Sequence, residues 1–267
     1  MQQLTLRTTK IIAEIQHGVG WLTFNQPERR NAISLEMWQG IGDALELMEA
    51  DANLRVVIMK GAGGKAFASG ADISEFDQQR ANAAQRQQYA QISGRGSQWL
   101  ARFSKPLIAL IDGYCIGGGL AIALNADVRF ATPGSRLGIP AARLGLGYEY
   151  SGLAALARLV GPSTARDMLF SARLLNADEA YKVGLLNFIA TEDTIVDQVM
   201  AYAEQIAKNA PLTIKAAKAA VNAFEKYSQV DAAHAIAEMV DACFDSDDYK
   251  EGRRAFAEKR PPQFKGR

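Results

Sequence analysis

The chain has 267 residues, 48% of them hydrophobic, enough to build one large core. Its formal net charge of +1 lacks the basic excess of a dedicated nucleic-acid binder, and two cysteines are too few for a disulfide framework. No apolar run approaches the roughly 20 residues that cross a bilayer, and residues 1–10 are polar, with no apolar signal core. These features point to a cytoplasmic enzyme in which Cys115 and Cys243 are buried thiols.

Residues 11–15 and 19–24 alternate around His17-Gly18 and read as a hairpin. Asn25-Gln26-Pro27 breaks that run. Ser34 reads as the N-cap of a helix in which Leu35, Trp38, Ile41, Leu45 and Met48 recur at helical spacing. Residues 56–59 read as a buried strand closed by Gly61-Ala62-Gly63-Gly64, and the polar stretch 75–97 reads as helices near an entrance. Lys105-Pro106 introduces a strand from residue 107 that Gly117-Gly118-Gly119 ends. Residues 127–131 form another strand, followed by a turn at Pro133-Gly134. Beyond Ala154 the pattern is mostly helical, with one short strand over 186–190 and three or four amphipathic helices between 193 and 258. The helix over 216–224 is apolar on more than one side, which fits either packing against another subunit or burial inside its own chain.

Two segments carry the chemistry. In Gly113-Tyr114-Cys115-Ile116-Gly117-Gly118-Gly119, three glycines stand where a strand hands over to a helix. N–H groups bared at such a turn suit an anionic oxygen. Ala66-Phe67-Ala68-Ser69-Gly70-Ala71-Asp72-Ile73 is a segment of the same kind, and N–H groups from two such turns can form an oxyanion hole. His17 and His234 are the only histidines and lie far apart in the motif order, so neither a Ser-His-Asp triad nor a histidine metal site is supported. Gly61-Ala62-Gly63-Gly64 lacks the Gly-Lys-Ser/Thr of a P-loop. Asp72, after the second turn, reads as a cap on a following helix in preference to a catalytic carboxylate, and Asp127 as a structural residue behind the glycine turn.

These residues resemble the crotonase (enoyl-CoA hydratase/isomerase) superfamily over nearly the whole chain. The resemblance rests on Arg30-Asn31-Ala32-Ile33, residues 65–73 and 105–119, Asp127, Gly184-Leu185, Phe256 and Glu258-Lys259-Arg260, in that order. It implies an α/β fold, a crotonase-like spiral of repeated β-β-α units. The spiral would span residues 1–195, and a helical C-terminal extension over 196–267 would build a homotrimer or a dimer of trimers. The implied substrate is an acyl-CoA thioester; coenzyme A is part of it, and no cofactor, metal, nucleic acid or membrane is implied. The oxyanion donors would be the backbone N–H groups of Ala71 and Gly118. Arg29, Ala68, Gly70, Asp72, Ile73 and Gly117 would line the CoA path, with Gly61–Gly64 as a flexible turn beside its entrance. Phe256 and Lys259 resemble residues that, in the family, reach the CoA of a neighbouring subunit. Arg30, Lys65 and Arg260 are further candidates for the CoA phosphates.

The chain departs from the family's hydratases at two positions. Those enzymes carry one glutamate two residues past the triple glycine, where Ala121 stands, and another after a proline, where Ala141 follows Pro140. Hydration needs one group to activate water and one to protonate the α-carbon; alanine does neither. Glu149 stands where some enoyl-CoA isomerases, dienoyl-CoA isomerases and aryl-CoA dehalogenases of the superfamily place a working carboxylate. It reads either as a single proton shuttle or as a surface acid paired with Arg143 or Arg158. Tyr148 and Tyr150 flank it, and their loop also resembles that of the methylmalonyl-CoA decarboxylases, which lack both glutamates. A phenol there could orient a carboxylate or protonate an enolate, or simply pack against an apolar pocket. An enoyl-CoA isomerase-type reaction is therefore the leading expectation. Decarboxylation comes next, then thioester hydrolysis or an atypical hydration, and a non-catalytic CoA-binding or RNA-binding scaffold is the contrasting class. Pocket residues are expected from 74–97 and 142–151.

Overall fold

The computed structural model describes residues 1–72, 74, 83–148, 150–226, 241 and 244–263. In chain order the elements begin with β1 (Gln2–Gln3), β2 (Ile11–Gln16), β3 (Val19–Phe24), α1 (Leu35–Ala50), β4 (Val56–Gly61), β5 (Ala66–Ala68) and α2 (Ala83–Arg102). They continue with β6 (Leu107–Ile111), β7 (Tyr114–Ile116), α3 (Gly118–Ala123), β8 (Val128–Ala131), β9 (Arg136–Gly138) and α4 (Tyr150–Ser171). The last are β10 (Leu175–Asn176), α5 (Ala177–Lys182), β11 (Phe188–Ile189), α6 (Ile195–Ala207), α7 (Pro211–Lys226) and α8 (Asp247–Ala257). None of the described helices is long and apolar enough to cross a membrane.

The strands divide between two sheets, in the orders β1-β2-β3-β4-β6-β8-β11 and β10-β9-β7-β5. The hairpin at the N-terminus is antiparallel, and β3, β4, β6, β8 and β11 are mutually parallel. In the smaller sheet β5, β7 and β9 are parallel. Consecutive strands thus alternate between sheets: β4 then β5, β6 then β7, β8 then β9. This is the expected spiral of β-β-α units. The single strand expected between residue 107 and the triple glycine needs correction, because it is two strands in two sheets. Gly113 makes the corner at φ +77°, where a Cβ would meet the Lys65 carbonyl oxygen at 2.2 Å. The strand expected over 186–190 is only Phe188–Ile189, and β10 was not foreseen, since two residues leave no period to read.

The larger sheet is buried on both faces, as parallel strands require. Leu22, Phe24, Val57, Met59 and Ala109 face the main core, while Trp21, Ile58, Ile108 and Phe130 meet Val199 and Ala203 of α6. Ser34 caps α1 by accepting from the Met37 N–H at 3.2 Å. On the other side of the chain, none of residues 211–222 in α7 is buried, and Leu212 is 79% exposed. Burial inside its own chain is therefore overturned for this part of α7.

Three stitches hold the loops that surround the glycine turns. Asn31 is buried at φ +54°; its carboxamide accepts from the Gln26 N–H at 2.9 Å and donates to the carbonyls of Ala62 (2.9 Å) and Ala66 (2.8 Å). Ile33 then forms a parallel bridge with Ala71: the Ile33 N–H donates to the Gly70 carbonyl at 2.8 Å, and the Asp72 N–H donates to the Ile33 carbonyl at 3.0 Å. Finally, Arg29 Nη1 donates to Asp72 Oδ2 at 2.8 Å, while Asp72 Oδ1 accepts from the Ser74 N–H (3.0 Å) and hydroxyl (2.7 Å). Burial disfavours charge on Asp72, but the Ser74 hydrogen bonds and the Arg29 guanidinium outweigh it and hold the carboxyl below the ordinary Asp range. The helix that Asp72 was expected to cap falls on residues 73 and 75–82, outside the described residues. Asp127 accepts from the Leu107 N–H at 2.7 Å and from Lys218 Nζ at 2.8 Å, tying the start of β6 to α7.

The C-terminal helix α8 docks on the 3₁₀ turn Ala141–Leu144 of the same chain. Gly252 makes the approach possible, since a Cβ there would meet the Leu144 carbonyl carbon and oxygen at 2.4 Å. Beside it, Glu251 accepts from Arg260, Arg254 and the Gln263 N–H, which together hold its carboxyl far below the usual range. Replacing Gly252 with Val should destabilise the protein by about 1–3 kcal/mol, since the overlap is with backbone rather than a flexible side chain. An unchanged urea midpoint would show that α8 does not pack there. Asp72→Asn should lose about 1 kcal/mol at neutral pH. A depressed carboxyl contributes stability above its unfolded pKa of about 4 and loses it as pH falls through the lower folded value. The difference between wild type and variant should therefore close in acid; a constant difference from pH 7 to pH 2 would contradict the assignment.

Candidate active site

The site is built where β5 and β7 end. The two strands are adjacent and parallel, with Ala66 opposite Tyr114 and Ala68 opposite Cys115, so the turns that follow them emerge side by side. Gly119 lets the first turn of α3 rest on the end of β5: a Cβ there would meet the Ala68 carbonyl oxygen at 2.2 Å. One residue earlier, a Cβ on Gly118 would lie 3.5 Å from the Ala71 nitrogen. The Gly117 N–H donates to the Gly138 carbonyl at 2.8 Å, which anchors the turn to β9.

Two N–H groups are left over by this construction. The bridge to Ile33 uses the Gly70 carbonyl and the Asp72 N–H, not the N–H of Ala71. Gly118 is the first residue of α3, where a helix has no carbonyl to offer its own N–H. Neither N–H donates a hydrogen bond to any of the described residues. Ala71 and Gly118 both line a cavity of about 980 Å³.

Of the other expected site residues, Arg29, Gly70, Asp72, Gly117, Tyr148 and Phe256 line the same cavity. Ala68 does not; it lies buried beneath α3. Ile73 and Glu149 lie outside the described residues, as do His234 and Cys243. Lys259 is exposed and, like Lys65, is not part of the lining. Arg260 is committed to Glu251 and Glu258. Arg29 keeps 53% of its side chain exposed despite its bond to Asp72, and Arg30 stacks 5.5 Å from the Tyr114 ring. The loop Gly61–Gly64 is not among the lining residues, and Gly63 packs against Pro27. Burial pushes the Cys115 thiol up, as an inert core thiol requires.

The segments 74–97 and 142–151 do supply lining residues, among them Tyr89, Ser93, Leu144 and Tyr148. The cavity also takes Trp38 from α1, Leu124 and Asn125 after α3, and Phe244 near the C-terminus, none of which was foreseen. A readable signal existed for two of these: Leu124 and Asn125 follow Gly118 and Ala121 at helical spacing, so they share their face. Phe256 lies on the cavity of its own chain, a placement that depends on the Gly252 contact and has no local signal. Ala121 and Ala141 both line the cavity. Asp72 is the one carboxylate among the described lining residues, and Arg29 and Ser74 occupy it.

Comparison with known proteins shows the family. The enoyl-CoA hydratase/isomerase family model matches residues 14–267. A short-chain-enoyl-CoA hydratase of Clostridium acetobutylicum is 32% identical, covering 98% of this chain and 100% of its own. Among solved structures, an enoyl-CoA hydratase/carnithine racemase from Magnetospirillum magneticum is 35% identical with a TM-score of 0.81, covering 98% of this chain and 97% of its own. A methylmalonyl-CoA decarboxylase in complex with 2-nitronate-propionyl-CoA is 26% identical with a TM-score of 0.88, covering 97% of this chain and 99% of its own. Matches that run almost end to end, on a spiral fold that sets two glycine turns together, establish that the chain belongs to the enoyl-CoA hydratase/isomerase family.

Proposed function

We propose that this protein processes an acyl-CoA by stabilising its thioester enolate between the N–H groups of Ala71 and Gly118. The supporting observation is the adjacency of these two groups on a cavity wall, with no hydrogen-bond partner among the described residues. When the α-carbon loses a proton or a carboxylate, charge moves onto the thioester oxygen. Donors already in place strengthen as that charge grows, and loss of one typically costs roughly 3–4 kcal/mol of barrier. Coenzyme A enters as part of the substrate, and the guanidinium groups of Arg29 and Arg30 suit its phosphates. Homotrimers or dimers of trimers in the cytoplasm belong to the same reading; the exposed apolar residues of α7 support assembly.

Within that chemistry we favour an isomerase-type reaction over hydration. Ala121 and Ala141 line the cavity where the family's hydratases carry glutamates, and neither can carry a proton. Asp72 is ion-paired and held ionised, which makes it a poor acid. Moving a double bond needs one group that takes a proton from one carbon and returns it to another. Glu149 has that chemistry and directly follows Tyr148, which lines the cavity.

Decarboxylation is the second reading, and it needs no base. The bond from the α-carbon to the carboxylate breaks, carbon dioxide leaves, and the electron pair passes into the enolate, which then takes a proton. Tyr148 on the cavity wall and the likeness to the methylmalonyl-CoA decarboxylase favour it.

Gly118→Pro should remove one donor with little cost to the helix, because proline suits the first helical position. Turnover should fall at least ~100-fold with an unchanged circular dichroism spectrum; undiminished turnover across a panel of acyl-CoAs would remove the enolate reading. Glu149→Gln should lower isomerase turnover at least ~100-fold. A small loss, together with carbon dioxide release from methylmalonyl-CoA by the wild type, would give the function to decarboxylation.

A further inference from the structure

The cavity continues past the two N–H groups along one face of α3. Gly118, Ala121, Leu124 and Asn125 all line it, at offsets of zero, three, six and seven residues. At the helical rise, this stripe leads about 10 Å away from the N–H pair. The cationic lining, Arg29 and Arg30, lies on the loop stitched to the Ala71 turn, so the α3 stripe leads into the half of the cavity left for the acyl group.

The stripe does not end on an apolar residue. The Asn125 Nδ2 donates to the Ala121 carbonyl at 2.8 Å. A carbonyl only accepts, so this bond fixes which end of the carboxamide is nitrogen and leaves Oδ1 as the free end. Asn125 Oδ1 accepts no hydrogen bond from the described residues, although the residue is half-buried. Ser97 and Gln98, exposed residues that α2 contributes to the same cavity, also make no side-chain hydrogen bond with the described residues. A straight hydrocarbon tail would gain nothing from these groups and would cover an acceptor that water otherwise satisfies.

Resting on the acyl-CoA reading above, we infer that Asn125 is a specificity-determining residue: it selects an acyl group carrying a hydrogen-bond donor, a hydroxyl or an amide N–H, far from the thioester. The test uses binding, so it does not depend on which reaction is catalysed. A saturated medium-chain acyl-CoA and its terminal-hydroxyl counterpart of equal length are titrated by calorimetry into the wild type, with free coenzyme A as the reference. The hydroxylated ligand should bind ~5–10-fold more tightly, the worth of one hydrogen bond. Asn125→Leu should abolish or reverse that preference while leaving the affinity for free coenzyme A unchanged. Equal affinity of the two ligands for the wild type would overturn the inference and leave the acyl-CoA reading standing. No binding of either ligand, or of coenzyme A, would overturn both. The wild-type comparison needs no variant, so a poorly folded Asn125→Leu protein would not spare the inference.

Discussion

The structure depends on one pairing, β5 against β7, parallel and in neighbouring positions. Parallel strands end at the same edge, so whatever follows them is brought together without any direct attraction between the two turns. The close seat of Gly119 on Ala68 then sets the start of α3 against the Ala71 turn. Because Ile33 takes the Gly70 carbonyl and the Asp72 N–H, Ala71 is held on both sides while its own N–H has no partner among the described residues. A donor held in this way does not need to reorient as charge develops, which is why preorganised amides outperform water at the same task.

Around this pair the cavity wall is largely apolar, and Ala121 and Ala141 contribute only methyl groups to it. Low local polarity would strengthen any hydrogen bond made to the N–H groups beside them. The one described carboxylate on the wall is spent on holding Arg29 and Ser74 in place. On the proposed reading, charge stabilisation falls to the backbone and proton handling to very few side chains. The fold is shared with proteins named as hydratases and with one named as a decarboxylase, so the reaction is decided by the side chains placed on the cavity wall.

Much of this was readable before any coordinates. The hairpin, the Ser34 cap, the glycine handover and the order of the family motifs each depend on residues close in sequence. What escaped depends on residues far apart. The break between β6 and β7 follows from the contact of Gly113 with Lys65, which no window around residue 110 contains. Asn31 looks like an ordinary loop residue until its carboxamide is seen joining three segments. Phe256 reaches the cavity only because Gly252 lets α8 sit on Leu144. The packing role of Gly61–Gly64 is likewise invisible locally: Gly63 sits against Pro27, and Gly61 against the carbonyls of Ala66 and Phe67.

A crystal structure with a slowly reacting acyl-CoA analogue would show where the thioester oxygen rests. That oxygen should lie within about 2.7–3.1 Å of both the Ala71 and Gly118 nitrogens, the range expected of oxyanion donors. A carbonyl bound elsewhere in the cavity, with both N–H groups facing solvent, would contradict it.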